Sequence, residues 1–339
     1  MPEGHTVHRL AATFRELFAG HALSVSSPQG RFAAGAARLD GRVLVASEAW
    51  GKQMFLGLGD DRVVAGPDAD QDGDVRWLRV HLGLYGAWTF AGDPGSDVVH
   101  AIGAPRRRVG ERDTTAGAGP DVDGDGPWKP PAPRGQVRVR IASEHACADL
   151  TGPTACEVIT RAEKDAIQAR LGPDPLRDDA DPERFVAALA RSRSSVALLL
   201  MNQEVLAGVG NIYRAEALFR ARLAPATPGT AVPRETALEL WADLAELMHD
   251  GVRVGAIVTT RTGDRGEVLG VEPERGGPAS RGRRRTRQNT DGLSGAVRNE
   301  DAFYVYHRDG LPCRVCGTTV ALTELGGRKL YWCPRCQAP

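Results

Sequence analysis

Leu200-Met201-Asn202-Gln203-Glu204-Val205-Leu206-Ala207-Gly208-Val209-Gly210-Asn211 joins two stretches that read as helices, Val196–Met201 before it and Ile212–Arg222 after it. Gly208 and Gly210 open backbone geometries closed to other residues and let another group approach the chain closely. Asn211 then stands at the start of the second helix, where free N–H groups and the helix dipole favour an anion. That anion could be a phosphate, with Asn211 donating through its side-chain amide; an ordinary asparagine cap after a glycine turn would read the same way. The Gly-x-Gly pair is too short for a dinucleotide fingerprint, and no βαβ pattern surrounds it.

Working outward, Arg234–His249 also reads as a helix. Upstream, Asp181-Pro182-Glu183 is a helix start, with Asp181 as N-cap and Pro182 at the first helical position. The stretch Val271–Val297 carries the run Arg281-Gly282-Arg283-Arg284-Arg285-Thr286-Arg287 and has the composition of a disordered insert that attracts polyanions nonspecifically. Beyond it, Cys313-Arg314-Val315-Cys316 and Cys333-Pro334-Arg335-Cys336 are separated by 16 residues. Two such knuckles bring four thiolates to one closed tetrahedral site, which predicts a single structural Zn2+ ion held by Cys313, Cys316, Cys333 and Cys336. Arg328-Lys329 fall near the turn between the pairs, where two cations suit phosphate contacts or simply a solvated tip.

Toward the N-terminus the texture is different. A helix is expected from Thr6 to about Leu17, with Val7, Leu10, Phe14 and Leu17 on one face. Short alternating runs follow, such as Arg42-Val43-Leu44-Val45, Gln53-Met54-Phe55-Leu56 and Trp77-Leu78-Arg79-Val80, punctuated by Gly and Asp. That is the pattern of half-buried strands in an antiparallel sandwich or barrel. Ala91–Gly135 is rich in Gly, Pro and Asp, includes Arg106-Arg107-Arg108, and reads as a long loop before a strand at Gln136–Ala142. The expected class is α+β and multidomain. It comprises an N-terminal antiparallel β sandwich or barrel (1–150, loop 91–135), a helical domain (151–270), an Arg-rich insert (271–297) and a four-cysteine zinc finger (298–339).

With 43 basic and 43 acidic residues among 339, no global charge bias announces a polyanion partner, so any such partner would meet a local basic face. Four of the basic residues are lysines, namely Lys52, Lys129, Lys164 and Lys329. Cys147 and Cys156 stand apart from the paired cysteines and read as reduced core thiols rather than a disulfide framework. There is no apolar run near about 18 residues and no signal-peptide pattern, so a soluble, cytoplasmic monomer without a membrane partner is expected.

The start, Met1-Pro2-Glu3-Gly4, carries a chemical possibility. A proline in second place permits removal of the initiator Met and exposes a secondary α-amine. Such amines titrate near about 7.7–8.0, against about 10.4 for lysine, so a useful fraction is unprotonated near neutrality. An unprotonated amine can attack an electrophilic sugar carbon and form an iminium, with Glu3 beside it as general acid or base.

Taken in order, Pro2-Glu3-Gly4, Trp50-Gly51-Lys52, His81-Leu82-Gly83-Leu84-Tyr85-Gly86, Leu171-Gly172-Pro173-Asp174-Pro175-Leu176, the Asn202–Asn211 turn and Tyr331-Trp332-Cys333-Pro334-Arg335-Cys336-Gln337 resemble the formamidopyrimidine-DNA glycosylase/endonuclease VIII family. The likeness favours the endonuclease VIII branch in its actinobacterial form. It implies a β-sandwich, a helix–two-turns–helix domain and a zinc finger with damaged DNA lying across them, double-stranded or locally opened. It implies a bifunctional DNA glycosylase/AP lyase of base excision repair, nucleoid-associated through DNA. Oxidised bases, pyrimidines foremost, would be removed through a Pro2 Schiff base, and the strand cut by β,δ-elimination. Glu3 would be the proton donor and Lys52 the hairpin lysine that takes part in catalysis and binds near the lesion. The DNA-binding set would be His81, Leu84, Tyr85, Gln203, Asn211 and Arg328, with Leu84-Tyr85 as a wedge into the base stack unless they are hairpin core.

His5-Thr6 after Gly4 and Gly83 in the wedge depart from better-known members, and both inserts are long. His5 would either tune Pro2 or fill space. These departures leave open an enzyme that is mainly an AP lyase or is specialised for bulky or crosslinked lesions. A non-catalytic damaged-DNA-binding paralogue is the rival of another class.

Overall fold

Val137, Val139 and Ile141 are fully buried, while Arg138 and Arg140 between them reach partly into solvent. Period-two burial of this kind is what a strand with one face on a core requires. The computed structural model describes residues 2–60, 75–93, 101–103, 128–264, 297 and 301–338. The chain forms two compact units, one made of residues 1–2, 6–168 and 288–291, the other of residues 3–5, 169–287 and 292–339.

In the first unit a long helix, α1 (Gly4–Phe18), starts the chain, and β1 (Ser24–Ser26) and α2 (Ala33–Leu39) follow. The strands β2 (Val43–Trp50), β3 (Gln53–Gly59), β4 (Arg76–His81), β5 (Ala87–Gly92), β6 (Ala101–Gly103), β7 (Val137–Ala142), β8 (Ala146–Thr151) and β9 (Ala155–Ile159) then build two antiparallel sheets, before α3 (Arg161–Ala169). One sheet has the order β1-β7-β8-β5-β6, the other β2-β3-β4-β9. Side chains from both sheets and from α1 share one core, so the expected sandwich is present. Phe14 is its centre, in contact with Trp88 (ring centroids 4.7 Å apart), Phe18 (5.3 Å) and Phe90 (5.5 Å). The second sheet is covered on its other face as well, by Phe55, Trp77 and Ile159 packed with Ile167 of α3. Lys164 is buried there, its ammonium 2.8 Å from Glu48 and 3.9 Å from the centroid of the Trp77 ring.

The first unit differs from the sequence reading in two places. β9 pairs along its whole length with β4, and α3 packs on the same sheet, so the first unit runs to residue 168 rather than 150. β6 is a three-residue strand inside the stretch read as loop, held by β5; most of that stretch lies outside the described residues. The Arg281–Arg287 run also lies outside them. Cys147 and Cys156 are unpaired, and burial raises both thiols, that of Cys156 to about 12.

The second unit contains α4 (Pro182–Ala190), α5 (Val196–Leu199), α6 (Asn211–Arg220) and α7 (Arg234–Val254), then the hairpin β10 (Ala321–Leu325) and β11 (Arg328–Trp332). Asp181 caps α4 as read, accepting from the Glu183 N–H at 2.9 Å. α5 ends short of Met201. α7 continues to Val254, because Gly255 in the left-handed conformation (φ 68°) supplies its stop. α6 is buried on both sides: Ile212, Tyr213, Ala217 and Leu218 join the helical core, Ala215 and Phe219 the core of the cysteine module. Glu216, fully buried, accepts from the Thr259 hydroxyl and from the N–H groups of Tyr304, Val305 and Tyr306. No helix among the described residues is long and apolar enough to cross a membrane.

Phe14→Ala removes the ring on which Trp88, Phe18 and Phe90 converge. Urea unfolding should show a loss of about 3–5 kcal/mol; a loss below about 1 kcal/mol would mean that this core is not closed around it.

Candidate active site

The first residues of the chain are fastened to the Gly208–Tyr213 turn. Glu3 is fully buried, and its carboxylate accepts from the backbone N–H of Gly210 (2.9 Å), Ile212 (2.8 Å) and Tyr213 (3.4 Å). These are among the amides that a helix leaves unpaired at its N-terminus, where a carboxylate is favoured. The Gly4 N–H adds a bond of 2.8 Å to the Gly208 carbonyl. The glycines are there for room. A Cβ on Gly210 would lie 2.5 Å from the Glu3 carboxyl carbon, and one on Gly4 2.8 Å from the Gly208 Cα. Pro2, buried and covalently next to Glu3, is thereby held in place at its C-terminal side.

Behind Glu3 lie His5 and Tyr213, both buried, ring edge to ring face with centroids 5.5 Å apart. Burial, then the Glu3 and Asp250 charges, push the Tyr213 phenol well above its ordinary range, so it stays protonated. A Cβ on Gly251 would lie 2.4 Å from that phenol oxygen, which explains a glycine inside α7.

In the first unit, Lys52 sits in the tight β2–β3 turn, half-buried, with Gly51 at φ 58°. The register places Gln53 opposite His81 at the end of β4. Burial foremost, then the Lys52 and Arg79 charges, lower the His81 pKa, so its imidazole is neutral at physiological pH. After His81 the chain turns back through Leu82–Gly86, and Leu84 and Tyr85 at its crest are 46% and 57% exposed. They are not hairpin core. Gly83 (φ 63°) leaves no room for a side chain beside Thr154, and Gly86 none against Leu82.

The second unit collects Asn211, Arg214, Arg328 and Lys329. Asn211 is the first residue of α6, and Gly210 is the cap, so the plain N-cap reading is corrected. Asn211 Nδ2 instead donates to the Lys329 carbonyl at 2.9 Å, across to β11. Arg214, fully buried, donates from Nη2 to Asn211 Oδ1 and, at 3.0 Å, to the same Lys329 carbonyl. Arg328 and Lys329 are exposed just after the Gly326-Gly327 turn.

Gln203 turns its polar atoms toward its own turn. Its Nε2 donates to the Met201 and Val209 carbonyls (3.2 and 3.0 Å), and its Oε1 accepts from Gly208 N–H (3.0 Å). The side chain braces the turn from within. Arg214 and Glu216 were missed, since charged residues on a short helix read as its solvent face.

The four cysteine sulfurs of the terminal module lie within 4.8 Å of one another. All four are thiol donors and none of the described neighbours adds a fifth ligand, a set that suits a closed structural zinc site.

Two family descriptions match the chain: "Formamidopyrimidine-DNA glycosylase H2TH domain" over residues 171–262 and "Zinc finger found in FPG and IleRS" over residues 310–339. "Endonuclease 8 1" of Mycobacterium tuberculosis (strain ATCC 25618 / H37Rv) is 39% identical over 337 residues, covering 99% of this chain and 100% of that protein. The formamidopyrimidine-DNA glycosylase of Thermus thermophilus is 36% identical over 168 residues, 50% of this chain and 54% of its own length. Among solved structures, MutM (Fpg) from the same organism superposes with a TM-score of 0.64 at 23% identity, covering 99% of this chain and 98% of that one. A complex of Lactococcus lactis Fpg with abasic-site DNA gives 0.65 at 17%, covering 99% and 100%. Both share the fold. The zinc-finger match and the four-cysteine cluster together identify the site as that of a structural zinc ion.

Gly210→Ala drives a methyl group into the Glu3 carboxylate and should cost about 1–3 kcal/mol in urea unfolding; unchanged stability would mean the fastening is absent. The lowered His81 pKa means that folding disfavours its protonated form. Below about pH 6.5 the unfolded chain takes up a proton that the folded chain resists, so stability falls with acid. A His81→Gln chain should lose less stability between about pH 7.5 and pH 5 than the parent; equal losses would contradict this.

Proposed function

The chain belongs to the formamidopyrimidine-DNA glycosylase/endonuclease VIII family, DNA glycosylases and AP lyases of base excision repair, and from that premise we propose that it excises oxidised pyrimidines from DNA through a Schiff base on Pro2. Its relationship to an endonuclease VIII extends over the full length, whereas that to a formamidopyrimidine-DNA glycosylase covers half the chain. This supports the pyrimidine-directed branch.

The observation that carries the mechanism is the Glu3 carboxylate bound to three amides at the start of α6. It holds the residue after the nucleophile, so the Pro2 amine emerges from a fixed point rather than from a loose chain end. With the damaged nucleotide turned out of the stack, the Pro2 lone pair attacks C1′. The glycosidic C–N bond breaks, its electron pair leaves with the base, which takes up a proton, and the amine sheds its own. The sugar's C1′–O4′ bond then opens, O4′ takes up a proton, and the nitrogen lone pair completes the C1′=N bond. The resulting iminium acidifies C2′–H. Loss of that proton expels the 3′ phosphate (β-elimination), and a second proton loss expels the 5′ phosphate (δ-elimination). Water then hydrolyses the iminium and frees Pro2. Glu3 supplies and collects protons in these steps. Lys52, whose charge lies beside a neutral His81, attracts the phosphate-rich nucleotide. Asn211 and Arg328 hold the flanking phosphates. Leu84 and Tyr85, exposed at a turn braced by glycines, take the place of the displaced base. Zinc keeps the hairpin that carries Arg328 folded.

Borohydride trapping tests this on oligonucleotides bearing an abasic site, thymine glycol, 5-hydroxycytosine or 8-oxoguanine. The N-terminally processed chain should give a covalent adduct that maps to its first peptide and disappears in Pro2→Gly. Adducts should form faster with the two pyrimidines than with 8-oxoguanine. Glu3→Gln should slow base release by about 10²–10⁴-fold. Tight binding without an adduct on any substrate would leave a DNA-binding protein and no enzyme.

A further inference from the structure

The helix that begins at Asn211 holds a buried cation that the mechanism does not use. Arg214 has no solvent exposure, and one of its nitrogens carries all of its hydrogen bonds. Nε and Nη1 are buried with no partner among the described residues. Burying a guanidinium in this half-satisfied state is costly, and a well-packed apolar side chain would fill the space at less expense. What Arg214 does for that cost is visible in its two acceptors.

Arginine only donates, so the amide atom facing Arg214 Nη2 has to be Asn211 Oδ1. This fixes the orientation of the Asn211 amide, with Nδ2 turned toward the Lys329 carbonyl. One N–H of Nδ2 is used there, and the other has no protein acceptor among the described residues. The same Arg214 nitrogen grips that Lys329 carbonyl, one residue beyond Arg328. A single planar group thus ties the start of α6 to the start of β11.

We propose that Arg214 is a positioning residue for DNA binding: by bonding Asn211 and the Lys329 carbonyl at once, it aims the Asn211 amide and sets the spacing between Asn211 and Arg328, so that the two can grip adjacent phosphates of one strand. This rests on the reading of Asn211 and Arg328 as the phosphate-binding pair. The charge environment agrees with it. Burial lowers the Arg214 pKa to about 10, Glu3 works against that and Arg328 adds to it, so the guanidinium remains charged at neutral pH within the field of both. A phosphate drawn to Arg328 would relieve the repulsion between the two arginines.

The test is a double-mutant cycle read by equilibrium binding to a duplex containing one tetrahydrofuran abasic analogue, with zinc content and melting recorded for each chain. Because no chemistry is read, the result does not depend on whether Pro2 forms an adduct. Asn211→Ala and Arg214→Met should each weaken binding about tenfold or more, and the double variant should bind no worse than the weaker single by more than about twofold. Arg214→Lys, which keeps the charge and donors but not the planar fork, should recover part of the affinity. If Arg214→Met does not fold, the cycle is run with Arg214→Lys in its place and the same non-additivity is expected. Losses that add, or a lowered melting point with full affinity, would overturn the proposal and leave Arg214 a packing residue. Arg214 losing its effect while Asn211→Ala and Arg328→Ala both bind like the parent would instead unseat the phosphate-pair reading on which it rests.

Discussion

One carboxylate sets the arrangement of the N-terminal segment. Glu3 accepts three backbone N–H groups at the start of α6, where a helix leaves its own amides unpaired. The requirement propagates. Gly4 and Gly210 have to be glycines because the two segments pass directly against each other, and Gly251 has to be one because Tyr213 and His5 fill the space behind. Gln203 spends its whole side chain keeping the turn in the shape that presents those amides. Pro2, the proposed nucleophile, thereby adjoins a residue that is fixed by three hydrogen bonds.

α6 is the second organiser, since it supplies the floor for Glu3 and a wall for two cores. Its outer neighbours are the cysteine module on one side and the helical core on the other. A helix in that position cannot be amphipathic in the ordinary sense. Its polar side chains serve as internal connectors, Arg214 to the hairpin and Glu216 to the segment entering the zinc module.

That explains which parts of the molecule were legible in the sequence. The doubled Cys-x-x-Cys spacing, the alternation of Val137, Val139 and Ile141, and Asp181-Pro182 at a helix start are local rules with one physical solution each, and they read directly. The boundary at residue 168 was not legible because β9 is short and mixed in character; only pairing with β4, distant in sequence, makes it a strand. α2 and the last turns of α7 were missed or cut short, since alanine-rich and charged segments give a weak apolar period. In the candidate site, Pro2, Glu3 and Lys52 came from a family resemblance, for no spacing rule distinguishes Met-Pro-Glu from any other start. The inward hydrogen bonds of Gln203 were not legible for a different reason: a polar side chain in a polar-looking turn gives no sign of where its bonds point.

Glu216 carries a consequence of another kind. The same carboxylate receives the Thr259 hydroxyl and the Tyr304, Val305 and Tyr306 amides, and Thr259 N–H also bonds the Ala302 carbonyl at 2.8 Å. The segments at Thr259 and at Ala302–Tyr306, distant in sequence, therefore meet at one clasp. Once a loop's ends are pinned, each doubling of its length adds only about 0.6 kcal/mol of closure entropy. With both ends fixed on Glu216, a change in the length of the sequence between them would cost the cysteine module and the helix beneath it little.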